Sequence, residues 1–317
     1  MAIQKAETLR APLPSEGKAI QLRAADGCEL GAIFYSALRP RPHRRVAVLH
    51  GGGGIPALRY RRFAHFLSEF GIPVLTYDYR GIGMSRPQEL RGFAASTEDW
   101  MEFDSAAAIA WVRERFPDDE VIGISHSIGV LALGGAPNAA QQDRLIMIAP
   151  HTGYVGDYSG VYRVPMAMLW HGIMPMLTRV FGYFPGRRLR LGDDLPAGFA
   201  LQWAGRLSPQ IKPVGTALHR ERMRKLLANC AALERPALLV SISDDAFATA
   251  AGADRILSYM PRLRSRRIVF TPAEANTNRL GHFGFFRLNG GPPLWSRLLA
   301  SLEPERAESA SALRLAP

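Results

Sequence analysis

Three stretches of this 317-residue chain carry side chains that could work together on an acyl carbonyl. Ser127 sits in Val121-Ile122-Gly123-Ile124-Ser125-His126-Ser127-Ile128-Gly129-Val130, an acidic pair Asp244-Asp245 ends a short apolar run, and His282 lies in Leu280-Gly281-His282-Phe283-Gly284. A neutral serine hydroxyl is a weak nucleophile and needs a base within hydrogen-bond reach. Imidazole titrates in the right range, and a carboxylate behind it fixes its tautomer and steadies the imidazolium. Ser127 has Ser125 and Gly129 two positions to either side, the small neighbours that a sharp strand-to-helix turn requires. Such a turn presents the hydroxyl at the end of a sheet, beside helix N–H groups that favour developing negative charge. A histidine in a glycine-flanked loop is poorly explained as a core residue.

The elements that must position these groups follow from periodicity. Alternating runs at 19–23 and 29–36 around Asp26-Gly27 predict a hairpin closed by a type I′ turn. A buried-type strand at 45–50 runs into Gly51-Gly52-Gly53-Gly54, where four glycines imply close approach of backbone to something. The run lacks a following G-K-[ST], so a phosphate cradle is poorly supported. A helix is predicted over 57–70 with Gly71 as its cap, and a strand at 73–77. A long helix over 97–116 is capped by Ser96 or Thr97 and stopped by Pro117, with Asp104 inside it as a packing or surface residue. Strands at 121–126, 144–150, 236–243 and 267–270 alternate with helices, the last over 292–302, which argues for right-handed βαβ units and a mostly parallel sheet. Asp244 and Asp245 then stand at the C-terminal end of a strand, where open sheets place their chemistry, although capping the next helix is an alternative use.

These residues resemble the α/β-hydrolase superfamily, whose nucleophile elbow reads G-x-S-x-G. Here it is S-H-S-I-G, with Ser125 at the first glycine. Asp78-Tyr79-Arg80-Gly81-Ile82-Gly83-Met84-Ser85 is similar to the family's D-x-R-G-x-G-x-S turn, and the order Ser127, Asp245, His282 is the family's triad order. The resemblance extends over 19–302, touching the serine aminopeptidase-like and monoglyceride-lipase-like branches. Phe181-Gly182-Tyr183-Phe184-Pro185-Gly186, Asp194-Leu195-Pro196 and the run from Gly281 to Phe286 are similar to an uncharacterised bacterial subgroup.

The resemblance implies an α/β fold: a mostly parallel sheet of about eight strands flanked by helices, with a helical cap insertion. Its divisions are 1–150 and 235–302 for the core halves, 151–234 for the cap and 303–317 for a disordered tail. It implies Ser127 as nucleophile, His282 as base, and Asp245 as acid, with Asp244 in reserve. The backbone N–H groups of Ile128 and Gly52, or Gly53 beside it, are the implied oxyanion donors. The implied activity is cleavage of a small, partly hydrophobic carboxylic ester through an acyl-enzyme, with amide or thioester open, and with no cofactor or metal. The alternative is a non-catalytic or transacylating protein of the same fold that binds a small apolar ligand.

Composition limits the other classes. The net charge is +11, but the basic residues are mostly arginines spread along the chain, without the basic patch and interleaved aromatics of a nucleic-acid surface. No apolar run approaches the ~20 residues of a membrane span, and 1–18 lacks the apolar core of a secretory signal, so a cytoplasmic protein is expected. A homo-oligomer is left open. Cys28 and Cys230 are far apart and expected to be free thiols. His151, His171 and His219 form no zinc spacing and are expected to be ordinary histidines. Met166, Met168, Leu169, Trp170, Met174, Met176 and Leu177, at helical spacings, are expected to form the core of the cap.

Overall fold

The hydrophobic runs that alternate with amphipathic stretches pack as one sheet between two layers of helices. The structure is a computed structural model and describes residues 17–39, 43–213 and 215–302. The expected 303–317 tail lies outside the described residues, as does the leader before residue 17. The strands are β1 (Lys18–Arg23), β2 (Glu29–Tyr35), β3 (Arg45–His50), β4 (Val74–Tyr77), β5 (Glu120–His126), β6 (Arg144–Ile148), β7 (Tyr183–Phe184), β8 (Leu195–Pro196), β9 (Pro236–Ile242) and β10 (Arg264–Phe270). Eight of them form the main sheet in the order β1-β2-β4-β3-β5-β6-β9-β10, and β7 and β8 make a separate antiparallel ribbon. From β4 to β10 all pairings are parallel, while β1 and β2 join antiparallel. This is the expected α/β-hydrolase sheet, a mostly parallel one of eight strands.

β3 is buried at every position, as a strand covered on both faces must be. One face packs Val46, Val48, Val121, Leu145 and Leu239 under the helices Ser105–Arg115 and Ala217–Ala232. The other packs Leu49, Ile124, Ile146 and Val240 against Phe63 and Phe285. These alternations fix the register, and the register brings the C-terminal ends of β5, β6 and β9 together at one edge of the sheet.

Two expectations are corrected locally. The β1–β2 turn is not type I′, because only Gly27 adopts positive φ, at 85°. Asp26 keeps ordinary backbone and turns its carboxylate to Arg80, at 2.6 and 3.1 Å. The long helix contains a π-helical stretch, Trp100–Asp104, behind a Ser96–Asp99 capping box. Its widened turn ends at the fully buried Asp104, which accepts from the Arg80 side chain at 2.7 Å and from the Arg80 backbone N–H at 2.8 Å. Burial pushes the Asp104 carboxyl up to about 7, opposed by Arg80. Asp78 is structural, as expected: it accepts from the N–H groups of Ala57 and Met84 at 2.6 and 2.8 Å.

Between β6 and β9 the chain forms several helices, including Gly160–Ala167, the π-helical Met168–Ile173, Met174–Phe181 and Ala197–Ala204. The methionine stripe is not their core. Of its seven members only Met174 is buried, and Met168 and Met176 are exposed. Phe184, Phe199 and Trp203 are buried instead. No described helix is long and apolar enough to cross a membrane. Cys28 and Cys230 are both free.

Candidate active site

Ser127 follows directly on β5 and holds a left-handed backbone, φ 58°, which costs a non-glycine residue energy and persists only where the surroundings impose it. Here its N–H donates to the Ile148 carbonyl at 2.9 Å, tying the turn to β6. Helix Gly129–Gly135 starts next, pressed against the end of β3. A Cβ at Gly129 would lie 2.4 Å from the carbonyl oxygens of both His50 and Gly51, so this position admits only glycine. Ser125, at the first small position, fits, but its buried hydroxyl has no partner.

The three residues far apart in sequence meet at this edge. Ser127 Oγ lies 3.0 Å from His282 Nε2, and His282 Nδ1 lies 2.7 Å from Asp245 Oδ2. All three are buried. Asp245 Oδ1 accepts from the N–H groups of Phe247 and Ala248 at 2.8 and 3.0 Å. Burial alone would raise the Asp245 carboxyl. The hydrogen bond and charge of His282, with those two N–H groups, outweigh burial and hold it at about 2. An ionised Asp245 requires a proton on His282 Nδ1, which leaves Nε2 as an acceptor for the Ser127 hydroxyl.

Asp244 does a different job. Its two oxygens accept from the backbone N–H groups of Leu280 and Gly281, each at 2.9 Å, so it anchors the loop that carries His282. Neither aspartate caps the following helix, Ala250–Tyr259, because Thr249 does so through the Gly252 N–H.

A second histidine also reaches the Ser127 oxygen. His151, expected to be ordinary, places Nε2 at 2.9 Å from Ser127 Oγ. The Gly153 N–H donates to its Nδ1 at 2.9 Å, so the proton of the neutral ring sits on Nε2 and is donated to the serine oxygen. Burial, with the neighbouring His282, pushes the His151 imidazole down to about 3, so it stays neutral at ordinary pH. One signal was available in the sequence: His151 stands just past the end of β6, the same edge as Ser127 and Asp245.

The oxyanion assignment needs correction at Gly52. Its N–H donates to the Tyr60 hydroxyl at 2.8 Å and is therefore committed. Tyr60 passes its own proton toward His126 Nδ1 at 3.0 Å, and His126 Nε2 donates to the His282 carbonyl at 3.1 Å. The glycine run, the elbow and the His282 loop are thus tied by one chain of hydrogen bonds. Ile128 and Gly53 keep backbone N–H groups without an acceptor among the described residues. A Cβ on Gly53 would lie 3.2 Å from Ile128 Cγ2, so the two residues adjoin.

Comparisons with known proteins bear on the fold and on the resemblance to a family. A family model described as serine aminopeptidase, S33, matches residues 40–191. The lysophosphatidylserine lipase ABHD12 of Macaca fascicularis and that of Mus musculus are each 26% identical over 160 residues. That match covers 46% of this chain and spans 38% of the length of those relatives. Among solved structures, the esterase Pf2001 of Pyrococcus furiosus superposes with a TM-score of 0.58 at 14% identity, covering 91% of this chain and 90% of its own. A soluble variant of the monoglyceride lipase of Saccharomyces cerevisiae also gives 0.58 at 14% identity, covering 92% and 98%. At such identities the structural likeness speaks for the fold.

Proposed function

We propose that this chain, an α/β-hydrolase in fold that resembles the S33 serine aminopeptidase family over residues 40–191, is a serine hydrolase cleaving a carboxylic ester. One observation carries the reading: a strained, buried serine whose Oγ is 3.0 Å from an imidazole, with an ionised carboxylate 2.7 Å behind it.

Ser127 attacks the acyl carbon as His282 Nε2 takes its proton, and Asp245 steadies the imidazolium. The oxyanion forms against the N–H groups of Ile128 and Gly53. His282 then protonates the leaving alcohol, and the acyl-enzyme is hydrolysed by water that the same histidine deprotonates. His151 donates to Oγ throughout the resting state and releases that bond as Oγ becomes an ester oxygen.

The groups around the imidazoles favour a substrate with apolar parts. Phe247 lies edge-on to His282 at 5.7 Å, Trp203 lies edge-on to His151 at 6.1 Å, and Phe199 abuts Gly53. The helices between β6 and β9 supply Phe199 and Trp203, which supports reading 151–234 as a cap. Ser127 is only 7% exposed, so an ester must reach it at the floor of the site. The ester and lipid-ester names of the similar proteins fit a small, partly hydrophobic ester. We read the setting as cytoplasmic.

The test is a panel of p-nitrophenyl esters from acetate to decanoate. Wild type is expected to turn over at least one chain length, and Ser127→Ala to lose on the order of 10³-fold or more in kcat. A folded wild type inert on every ester, or an equally active Ser127→Ala, removes the reading and favours a non-catalytic binding protein.

A further inference from the structure

A cavity of about 310 Å³ has none of Ser127, Asp245 or His282 in its wall. It lies behind Trp203, walled by Thr97 and Glu98 at the start of the long helix, Thr152 after β6, and Arg206 and Lys212 beyond the helix Ala197–Ala204. Its volume is at the lower end of small-molecule sites, which run from roughly 300 to 1,000 Å³.

The wall chemistry is unusual for a crevice that only holds solvent. Arg206 is buried, and among the described residues its guanidinium has one acceptor, the Thr152 carbonyl, while it lies over the Trp203 ring at 5.2 Å. Other buried arginines have carboxylate partners: Arg80 pairs with Asp26 and Asp104, and Arg45 with Glu120. Arg206 has none within ion-pair distance among the described residues. A buried guanidinium without a counter-charge is costly, and its planar fork suits a carboxylate.

Leu207, Ile211 and Met223 give the wall an apolar side, and the polar groups of the other side are incomplete. Glu98 Oε2 accepts from Gln202 Nε2 at 2.6 Å, and Gln202 Oε1 accepts from the Thr97 N–H at 2.8 Å, so the amide is locked. Glu98 Oε1 and the hydroxyls of Thr97 and Thr152 are buried without a partner among the described residues. Native structures leave few such atoms, and here three belong to residues that wall one cavity. With Arg206 and Lys212 against the single carboxylate of Glu98, the wall is balanced by one negative charge. A dianion such as phosphate is disfavoured by Glu98.

We propose that this cavity binds a small organic monocarboxylate bearing a hydroxyl or ammonium group, with the carboxylate on Arg206 and the polar remainder on Thr97, Glu98 and Thr152. None of the triad residues lines it, so the site stands whether or not the chain is a hydrolase. Occupancy would be felt at Ser127, because Trp203 touches both Arg206 and His151, the histidine hydrogen-bonded to Ser127.

The test is calorimetric titration and thermal melting of the full chain, wild type and Ser127→Ala, with lactate, 3-hydroxybutyrate, alanine and serine beside lactamide and alaninamide. At least one of the carboxylates at about 10 mM is expected to raise Tm, since a ligand that binds only the folded state stabilises it, and the amides are expected to do nothing. Arg206→Gln should abolish the shift. Should that variant fail to fold, Thr97→Val and Thr152→Val remove one hydroxyl each and should weaken binding about three- to tenfold. Two results overturn the proposal: no carboxylate stabilises wild type, or the stabilisation is the same in the variants. Ester turnover is not the readout, so failure here leaves the hydrolase reading untouched.

Discussion

His282 and His151 approach the Ser127 oxygen from two loops, one after β10 and one after β6, at 3.0 and 2.9 Å. By distance alone they are equivalent. What separates them is the group behind the far nitrogen. His282 has the Asp245 carboxylate at Nδ1, so Nε2 is left as an acceptor with a stabilised charged form. His151 has the Gly153 N–H at Nδ1, so Nε2 must carry the proton, and burial resists any charge. On the proposed reading the same side chain is a base in one setting and a donor in the other, and the second contact of each ring decides which.

This contrast can be broken in order of consequence. His282→Ala should lower kcat on the best ester by on the order of 10⁴-fold, as removal of a triad member does. Asp245→Asn should cost on the order of 10³ to 10⁴, because an amide behind Nδ1 permits the wrong tautomer while leaving the packing nearly intact. Both are read from steady-state rates at saturating ester.

Asp244→Ala probes the neighbour that holds only backbone. It should lower kcat by roughly ten- to a hundredfold through displacement of His282, and lower Tm as well. His151→Phe should lower kcat/KM by only about tenfold, the worth of one hydrogen bond, with the shape of the pH-rate profile unchanged. If His151→Phe matched His282→Ala, the two assignments would have to be exchanged.

The smallest effect is on stability. A histidine whose folded value is depressed contributes stability that is fully present above its unfolded value near 6.5 and is lost as pH falls toward the folded value of about 3. Between pH 7 and 5, His151 should therefore account for on the order of 1–2 kcal/mol of acid destabilisation. His151→Gln should flatten the fall of Tm over that window, as measured by scanning calorimetry. A slope equal to that of wild type would mean that His151 is protonated in the fold.

The same contrast explains what the sequence disclosed. The elbow was legible because sterics demand it: only small residues fit where Gly129 meets His50 and Gly51. His282 was legible because a histidine among glycines has little other use. The carboxylate that meets His282 was legible to within one residue, and only the direction of two adjacent side chains, one to an imidazole and one to loop N–H groups, separates Asp245 from Asp244. His151 was hidden because no local pattern marks it. Its role is made by Gly153 behind it and by Ser127 across the sheet edge.

Gly52 misled for a related reason. Its position in the loop suits an oxyanion donor, yet the Tyr60 hydroxyl, eight residues on, folds back to take its N–H. The methionine stripe misled because helical spacing reports a face and not what covers it, and here Met168 and Met176 face outward. The central strands, by contrast, were legible as apolar runs, and β3 is buried at every position.

The most direct measurement is the rate and site of covalent labelling by a fluorophosphonate, followed by mass spectrometry of the intact chain and its peptides. The adduct is expected on Ser127 alone, forming in His151→Phe within about tenfold of the wild-type rate and in His282→Ala on the order of 10³-fold more slowly. An adduct on another residue, or one that forms as fast without His282 as with it, would contradict the account.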